Sequence, residues 1–561
     1  MRNNSQIVKE VTEEFIEQNT PLPEESVCAE KVVDELNTIL ELENSIRPKG
    51  AKFKMCTDLP LLALEIFISC RDDIALIVPG DKSLSNKPPA YSTEQKKRFP
   101  VGIYQKSGAN EGVWEVTNDP LGEFAEKAKR YKPDLSVKQL TELFTAVKLR
   151  LKVLPKCVIP YYVAVENCIV DVLHKKFLPF TPDLVFTNKI HTPIDANATN
   201  PHVYFEEDGT TLDVDSWLKE LGDEETVLTI LEVIQRACIP LARHDKMCLF
   251  YNTQGNNGKG TICQLIRNII GEDFVANISL SKFSDNYGLA NLPTATAIIC
   301  DENNMGYIKG LAELKAVVTA DKVTVNNKYV KAFDYTFNGL VLQCVNELPK
   351  VDDKTGSFKR RLHIIPFHSC FTGSERKYIK GRFIHMDSVK KYILKKVLLD
   401  MEYRESFTET SLTKSALAEY SRSSNSVVEF LEEILPQCRW NLLPATDFLY
   451  EMYKSWYRKI SPSGKSIGRN DFIDDVKDFV IVSVKENPAF EWEWTDCTRS
   501  DGYIDPNVRE PLLVEYQITT MTSPFEISCN HPYPDRLKAK YSGLKRRKFV
   551  TVQGTTEEKE E

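Results

Sequence analysis

Leu249-Phe-Tyr-Asn-Thr-Gln-Gly255-Asn256-Asn257-Gly258-Lys259-Gly260-Thr261 is an apolar strand running into a glycine-rich loop. An apolar-periodic helix follows, Ile262 to Ile270, and Gly271 stops it. A loop of this kind suits a phosphate. Its glycines let backbone N–H groups converge, a helix N-terminus adds positive potential, and one lysine reaches the outer phosphates. Gly255, Asn256, Asn257, Gly258, Lys259, Gly260 and Thr261 are therefore the candidate ATP-binding residues. The strict pattern G-x-x-x-x-G-K-[ST] would place glycine at Thr253 and a hydroxyl at Gly260. Here the hydroxyl arrives one residue later, as Thr261, the candidate Mg²⁺ ligand of the loop.

Outward from this stretch, the apolar runs Met247–Tyr251, Ala295–Cys300, Leu340–Val345 and Leu362–Pro366 alternate with helical segments. Runs of that length fit strands of a sheet buried on both faces, so an α/β ATPase core is expected over about 216–400. Hydrolysis needs a carboxylate for the metal and another to orient water. Asp301 and Glu302, at the end of the second run, supply both, with Asp301 the second candidate Mg²⁺ ligand. Asn346 closes the third run and can bond a γ-phosphate or the lytic water without adding charge. Arg360 and Arg361 precede the fourth, and a guanidinium there can stabilise charge developing on a neighbour's γ-phosphate.

In this order and spacing the chain resembles the superfamily 3 helicases of the AAA+ class. The likeness is to the primase-helicase and replication-initiator proteins of phages, satellites and mobile plasmids. Their motors carry a GNGK(S/G)T loop, an acidic strand end, an apolar strand ending in N-E-x-P and a following R-R; the upstream segments 165–177 and 180–187 also look like the domain that precedes such motors. The resemblance covers roughly 155–480 and implies an ATP-dependent DNA helicase and replication initiator of a phage or mobile genetic element. It implies a homo-oligomeric ring, a hexamer, with ATP between subunits and the arginine finger reaching across. It also implies a channel hairpin at 321–331, where Lys322, Lys328, Tyr329 and Lys331 would meet single-stranded DNA. The stretch Leu449–Phe472 is similar to the winged-helix segment after such motors and would place Arg469 near a groove of origin DNA. Host or element replication proteins are further implied partners.

Composition sets the remaining bounds. The 561 residues are 42% hydrophobic and 27% charged, which excludes a disordered chain and predicts several domains. The division expected is 1–50 acidic and helical, 51–154 of unassigned role, 155–215 a β-containing pre-motor domain, 216–400 the AAA+ motor, 401–535 winged-helix-like, and 536–561 a charged tail. The fold class is thus an AAA+ P-loop core with a mixed α+β N-terminal region and a winged-helix-like C-terminal domain. Fourteen cysteines without a C-x-x-C pair oppose a zinc ribbon or disulfide framework. No signal-like or membrane-spanning run is seen, so a cytoplasmic protein without a membrane partner is expected. The net charge of −8 excludes a generally basic nucleic-acid coat. It resides entirely in residues 1–45, where eleven acidic and three basic side chains leave 69 of each sign elsewhere. Two short, loosely attached helices, a tether or a guard against premature DNA binding, are expected there. The closing stretch 545–561 is expected to be charged and frayed, and the basic cluster over Arg536–Lys548 is read as either a phosphate contact or a solvated end. Priming would need a paired carboxylate, for which Asp72-Asp73 and Asp213/Asp215 are the candidates. Two other readings stay open: a P-loop nucleotide kinase-like enzyme, and a DNA-binding initiator with a degenerate motor.

Overall fold

A computed structural model describes residues 2–80, 91–303, 308, 311–327, 330–349, 351, 356–423, 425–460, 466–501 and 503–547. It shows a mixed α/β chain with a parallel sheet and many helices, divided into two compact units, Met1–Thr413 and Lys414–Glu561.

The chain opens with α1 (Asn4–Gln18) and α2 (Glu25–Ser45), separated where Pro21 and Pro23 interrupt helical hydrogen bonding. A capping box between Asn3 and Gln6 starts α1. The expected loose attachment is overturned: α2 runs 21 residues, and Ile7, Val11, Phe15, Val32, Leu36 and Leu40 enter one core with residues 59–151. The apolar stripe was visible in the sequence; its partner was not, because it lies in α3 (Leu61–Ser69) and further helices of the same body. That body continues through β1 (Ile74–Val78), α4 (Thr93–Arg98), β2 (Val101–Tyr104), β3 (Trp114–Thr117), α5 (Glu123–Tyr131), α6 (Val137–Arg150) and β4 (Val153–Pro155). Its sheet order is β3-β2-β1-β4, with only the β1/β4 pair parallel. Asp73, one of the acids considered for priming, is held by Lys127 at 2.6 Å.

A three-stranded antiparallel sheet follows, β5 (Tyr162–Ala164), β6 (Ile169–Asp171) and β7 (Lys176–Leu178), then a hairpin of β8 (Val203–Phe205) and β9 (Thr210–Leu212). The segment that follows forms two helices, α7 (Val214–Glu220) and α8 (Glu224–Cys238). They break at Gly222, where a Cβ would fall 2.6 Å from the Thr226 side chain, and Asp223 caps the second helix. The cap of the first is Asp213, one of the acids considered for priming. Asp215 instead accepts hydrogen bonds from Tyr392 Oη at 2.7 Å and Lys396 Nζ at 3.0 Å.

Desolvation raises the Asp213 carboxyl pKa, but bonds from Ser216 and Asn200 outweigh it and hold the pKa at about 2. Because the folded pKa lies below the unfolded one, the stability this cap contributes is complete above about pH 4 and is lost as pH falls toward 2. Asp213→Ala is expected to cost about 1 kcal/mol at neutral pH. Its deficit in denaturant midpoint should narrow as pH falls to about 3; a deficit independent of pH would remove the carboxylate as its cause.

The central sheet is built from β10 (Met247–Tyr251), α9 (Lys259–Ile270), β11 (Val275–Ala276), β12 (Ala297–Cys300), α10 (Leu311–Val318), β13 (Lys322–Asn327), β14 (Val330–Thr336), β15 (Leu340–Val345) and β16 (Leu362–Pro366). Its five strands run parallel in the order β11-β12-β15-β10-β16, and β13 and β14 form a separate antiparallel hairpin. Residues of α7, α8 and α9 share one core with the sheet, and so do residues of α11 (Lys377–Gly381) and α12 (Asp387–Lys395). All four expected strands are present, three with the bounds read from the sequence. Each is an apolar run because both sheet faces are covered. No helix among the described residues is long and apolar enough to cross a membrane.

Beyond α13 (Ser411–Ser423), the second unit packs α14 (Ser426–Ile434), α15 (Glu451–Ile460) and α16 (Arg469–Glu486) with a sheet of β17 (Leu442–Pro444), β18 (Trp492–Arg499) and β19 (Lys540–Arg546). Tyr453, Trp456 and Phe472 are buried there. The end expected to fray is in part structured: β19 is the middle strand, paired antiparallel with both neighbours. Lys545 pairs with Glu493 at 3.1 Å, Lys538 with Asp447, and Arg546 donates to the Cys438 carbonyl. Much of the basic cluster is thus committed to its own unit; Lys548 lies outside the described residues.

Candidate active site

In a parallel sheet the loops after the strands gather at the carboxyl ends, so residues far apart in sequence converge there. The glycine-rich loop leaves β10 and turns into α9 through two left-handed residues, Asn256 (φ +51°) and Gly258 (φ +86°). At Gly258 a Cβ would also fall 2.6 Å from Leu221 Cδ2, so glycine is required there on both counts. The buried Asn257 closes the loop on itself by donating to the Gln254 carbonyl at 2.7 Å. The Asn256 carbonyl accepts from Phe371 N, and its side chain donates to Glu375 at 3.0 Å, which ties the loop to the segment after β16.

Lys259 is the first residue of α9 and only 7% exposed. Its ammonium crosses to the next strand end, donating to Asn346 Oδ1 at 2.9 Å and to the carbonyls of Val345 and Asn252 at 3.2 Å. No carboxylate shares it; burial lowers its pKa. Three elements named separately from the sequence, the loop, the lysine and the Asn346 strand end, are thereby in direct contact. Gly255 and Gly260 leave open backbone: around Gly255 nothing lies within 4 Å of an added Cβ, and at Gly260 the nearest atom is Lys380 Nζ at 3.6 Å. Thr261 is partly exposed in the first turn of the helix, its amide bonded to the Gly258 carbonyl.

Asp301 and Glu302 follow β12, the neighbour of β15. Glu302 is exposed, and its carboxylate has no partner among the described residues. Asp301 is gripped by Arg267 of α9, which donates to its two oxygens at 2.8 and 3.0 Å and to the Ile299 carbonyl at 3.2 Å. Each Asp301 oxygen keeps a second lone-pair direction, so a metal would have to share the carboxylate with this fork. Sequence reasoning missed Arg267. The available signal was a cation inside the apolar helix run, a position that demands a counter-charge when the helix is buried. Asn303 was missed too. It donates to the Cys344 carbonyl at 3.0 Å and accepts from Leu280 N at 2.9 Å, fixing the strand ends against each other. Among the described residues no cluster of three or more His, Cys, Asp or Glu could hold a metal.

The two arginines differ. Arg361 turns back, donating to the Ser357 carbonyl at 2.7 Å, whereas Arg360 is exposed. Neither is brought to the loop of its own chain by any recorded contact. Lys322 is exposed at the start of the hairpin and Lys331 falls in its second strand; Lys328 and Tyr329 lie outside the described residues. Arg469 is exposed at the first turn of α16, after a segment, 461–465, that also lies outside them.

Residues 250–361 match a family of unknown function, DUF5906. The matched stretch begins within β10 and ends at Arg361, so it encloses the loop, the acids, Asn346 and both arginines. No curated protein matches the chain. Among solved structures, the A form apo structure of the NrS-1 C-terminal region is similar at 11% identity, with 82% of this chain and 95% of that one covered and a TM-score of 0.40. A second apo structure of that region gives 12% identity, 77% and 95% coverage, and a TM-score of 0.40.

Proposed function

We propose that the protein is an ATP-hydrolysing DNA motor of the superfamily 3 AAA+ kind, a helicase serving replication of a phage or mobile element and working as a homo-oligomeric ring. The observation that carries this reading is the placement of Lys259. A single buried ammonium spans from the glycine-rich loop to the end of a neighbouring strand, where a phosphate held by the loop would meet it together with Asn346. The donor set fits a nucleotide triphosphate: backbone amides at a helix N-terminus, a cation without a carboxylate partner, and open backbone at Gly255 and Gly260. Lys259 and the amides of residues 255–261 hold the phosphates. Glu302, unpaired and exposed, orients and polarises the attacking water. Asn346 reports the γ-phosphate through the contact it shares with Lys259. Mg²⁺, held by the phosphates with Thr261 and the remaining lone pairs of Asp301, supplies charge neutralisation when bound. Arg360, whose exposed side chain has no partner among the described residues, serves as the finger of the neighbouring subunit, and the β13–β14 hairpin with Lys322, Lys328, Tyr329 and Lys331 meets the strand. The second unit, with its helices packed on a three-stranded sheet, is assigned a winged-helix role in which Arg469 approaches duplex DNA.

The test is ATP turnover with and without single-stranded DNA. DNA-stimulated turnover is expected, and Arg360→Ala should lower it by about 10³-fold, while Arg361→Ala costs far less. Hydrolysis indifferent to DNA but dependent on a small phosphate acceptor would replace this reading with the kinase. No hydrolysis at all would leave a DNA-binding initiator.

A further inference from the structure

A cavity of about 150 Å³ lies at the opposite end of the sheet from the glycine-rich loop. Its walls include Ala295 and Thr296, just before β12, and Ile270, the last residue of α9. The twelve residues of α9 separate it from Lys259, about 18 Å at 1.5 Å per residue. Room of this size accepts a benzene-sized body. The lining residues are mixed: Phe186 with Tyr162 and Tyr335, polar Thr187 and Asn188, and Lys156.

Lys156, half-buried, stands apart. Lys127 is matched by Asp73 at 2.6 Å, Lys132 by Asp58 at 2.5 Å, and Lys189, on the same cavity wall, by Glu166 at 3.1 Å, while Lys148 and Lys259 donate to carbonyl and amide oxygens instead. Among the described residues the Lys156 ammonium has no carboxylate partner and no hydrogen-bond acceptor, and burial lowers its pKa. A desolvated ammonium without a counter-charge is a costly arrangement for a fold to carry, and an anion from solution would remove that cost.

We propose that this cavity is a binding site for a small organic anion, a planar apolar body bearing one carboxylate or phosphate group whose charge meets Lys156. The rings of Tyr162, Phe186 and Tyr335 take the body; Thr187 and Asn188 supply neutral hydrogen bonds. Tyr335 belongs to β14, so an occupant touches the root of the hairpin, the β5 module and the end of α9 at once. The site is independent of the nucleotide reading, since it shares no residue with the loop.

The experiment titrates the full-length protein with benzoate, phenyl phosphate and, as a neutral match in size, benzyl alcohol, following thermal unfolding and calorimetric heat without nucleotide. Both anions should raise the melting temperature with the logarithm of concentration. Lys156→Met should weaken them by about tenfold to a hundredfold, the loss of a hydrogen bond to a charged group, and leave benzyl alcohol unchanged. Lys156→Met without ligand should melt no lower than wild type, because it removes an unpaired buried charge. Tyr335→Phe should retain the anions, and Lys259→Ala should bind them like wild type. Binding of neither anion, or equal binding by Lys156→Met, overturns the proposal. Binding lost in Lys259→Ala but kept in Lys156→Met places the ion on the loop and overturns it as well.

Discussion

Lys259→Ala is expected to reduce ATP hydrolysis by about 10²- to 10³-fold, the scale on which one preorganised electrostatic donor contributes to a transition state. The expectation rests on position. Lys259 is 7% exposed, its ammonium is fixed by three acceptors drawn from two strand ends, and it has no carboxylate to neutralise it. A phosphate arriving on the loop therefore meets a cation already desolvated and aimed, with little reorganisation at the moment of reaction. Lys259→Met keeps the buried stem and removes only the charge, so it separates electrostatics from packing. Both variants should unfold within a few degrees of wild type while turnover collapses. Turnover preserved in either variant would sink the assignment of this loop, whatever DNA does to the rate.

Arg267→Met is expected to destabilise the first unit by about 2–3 kcal/mol. Breaking a fully buried ion pair costs about 3–5 kcal/mol, and the partial exposure of Asp301 reduces this. The Arg267 side chain is 9% exposed and that of Asp301 is 32%. The arginine also satisfies the Ile299 carbonyl, so its removal leaves two kinds of acceptor unpaired on β12. Asp301→Asn should cost less than Arg267→Met, and the double variant less than the sum, because the pair is a unit. Strict additivity in denaturant midpoints would show that the pair contributes nothing as a pair. In Asp301→Asn turnover should fall by far more than the loss of stability accounts for, since that substitution keeps the shape of the strand end and changes its charge.

The parallel sheet was legible because its strands are buried on both faces and hydrophobic along their whole length, as in Met247–Tyr251 and Leu340–Val345. β11 was not, since two residues, Val275 and Ala276, carry no pattern at all. The break between α7 and α8 was hidden because Leu221-Gly222-Asp223 looks tolerable inside an apolar period, and only the packing of Thr226 forbids it. At the site, the residues that touch nucleotide in the proposed reading were visible as short motifs. Those that set their orientation were not: Arg267 and Asn303 act across α9, β12 and β15, and no local spacing encodes a pairing that only the sheet order creates. The same holds for β19, whose run of lysines and arginines reads as a solvated end until its two partner strands are known.

The folding of α1 and α2 into a core changes what their charge is. Of the eleven acidic and three basic side chains within residues 1–45, all but Arg2 and Glu24 ride on helices whose apolar stripes are locked in place. A tethered charge averages over directions; a charge fixed in the molecular frame has one. Its field reaches about 8–10 Å into physiological saline before it is screened. Inside that shell an approaching polyanion is turned as well as repelled, so the encounter is sorted by orientation before any contact forms, and salt added to the buffer loosens that sorting together with the attraction it serves.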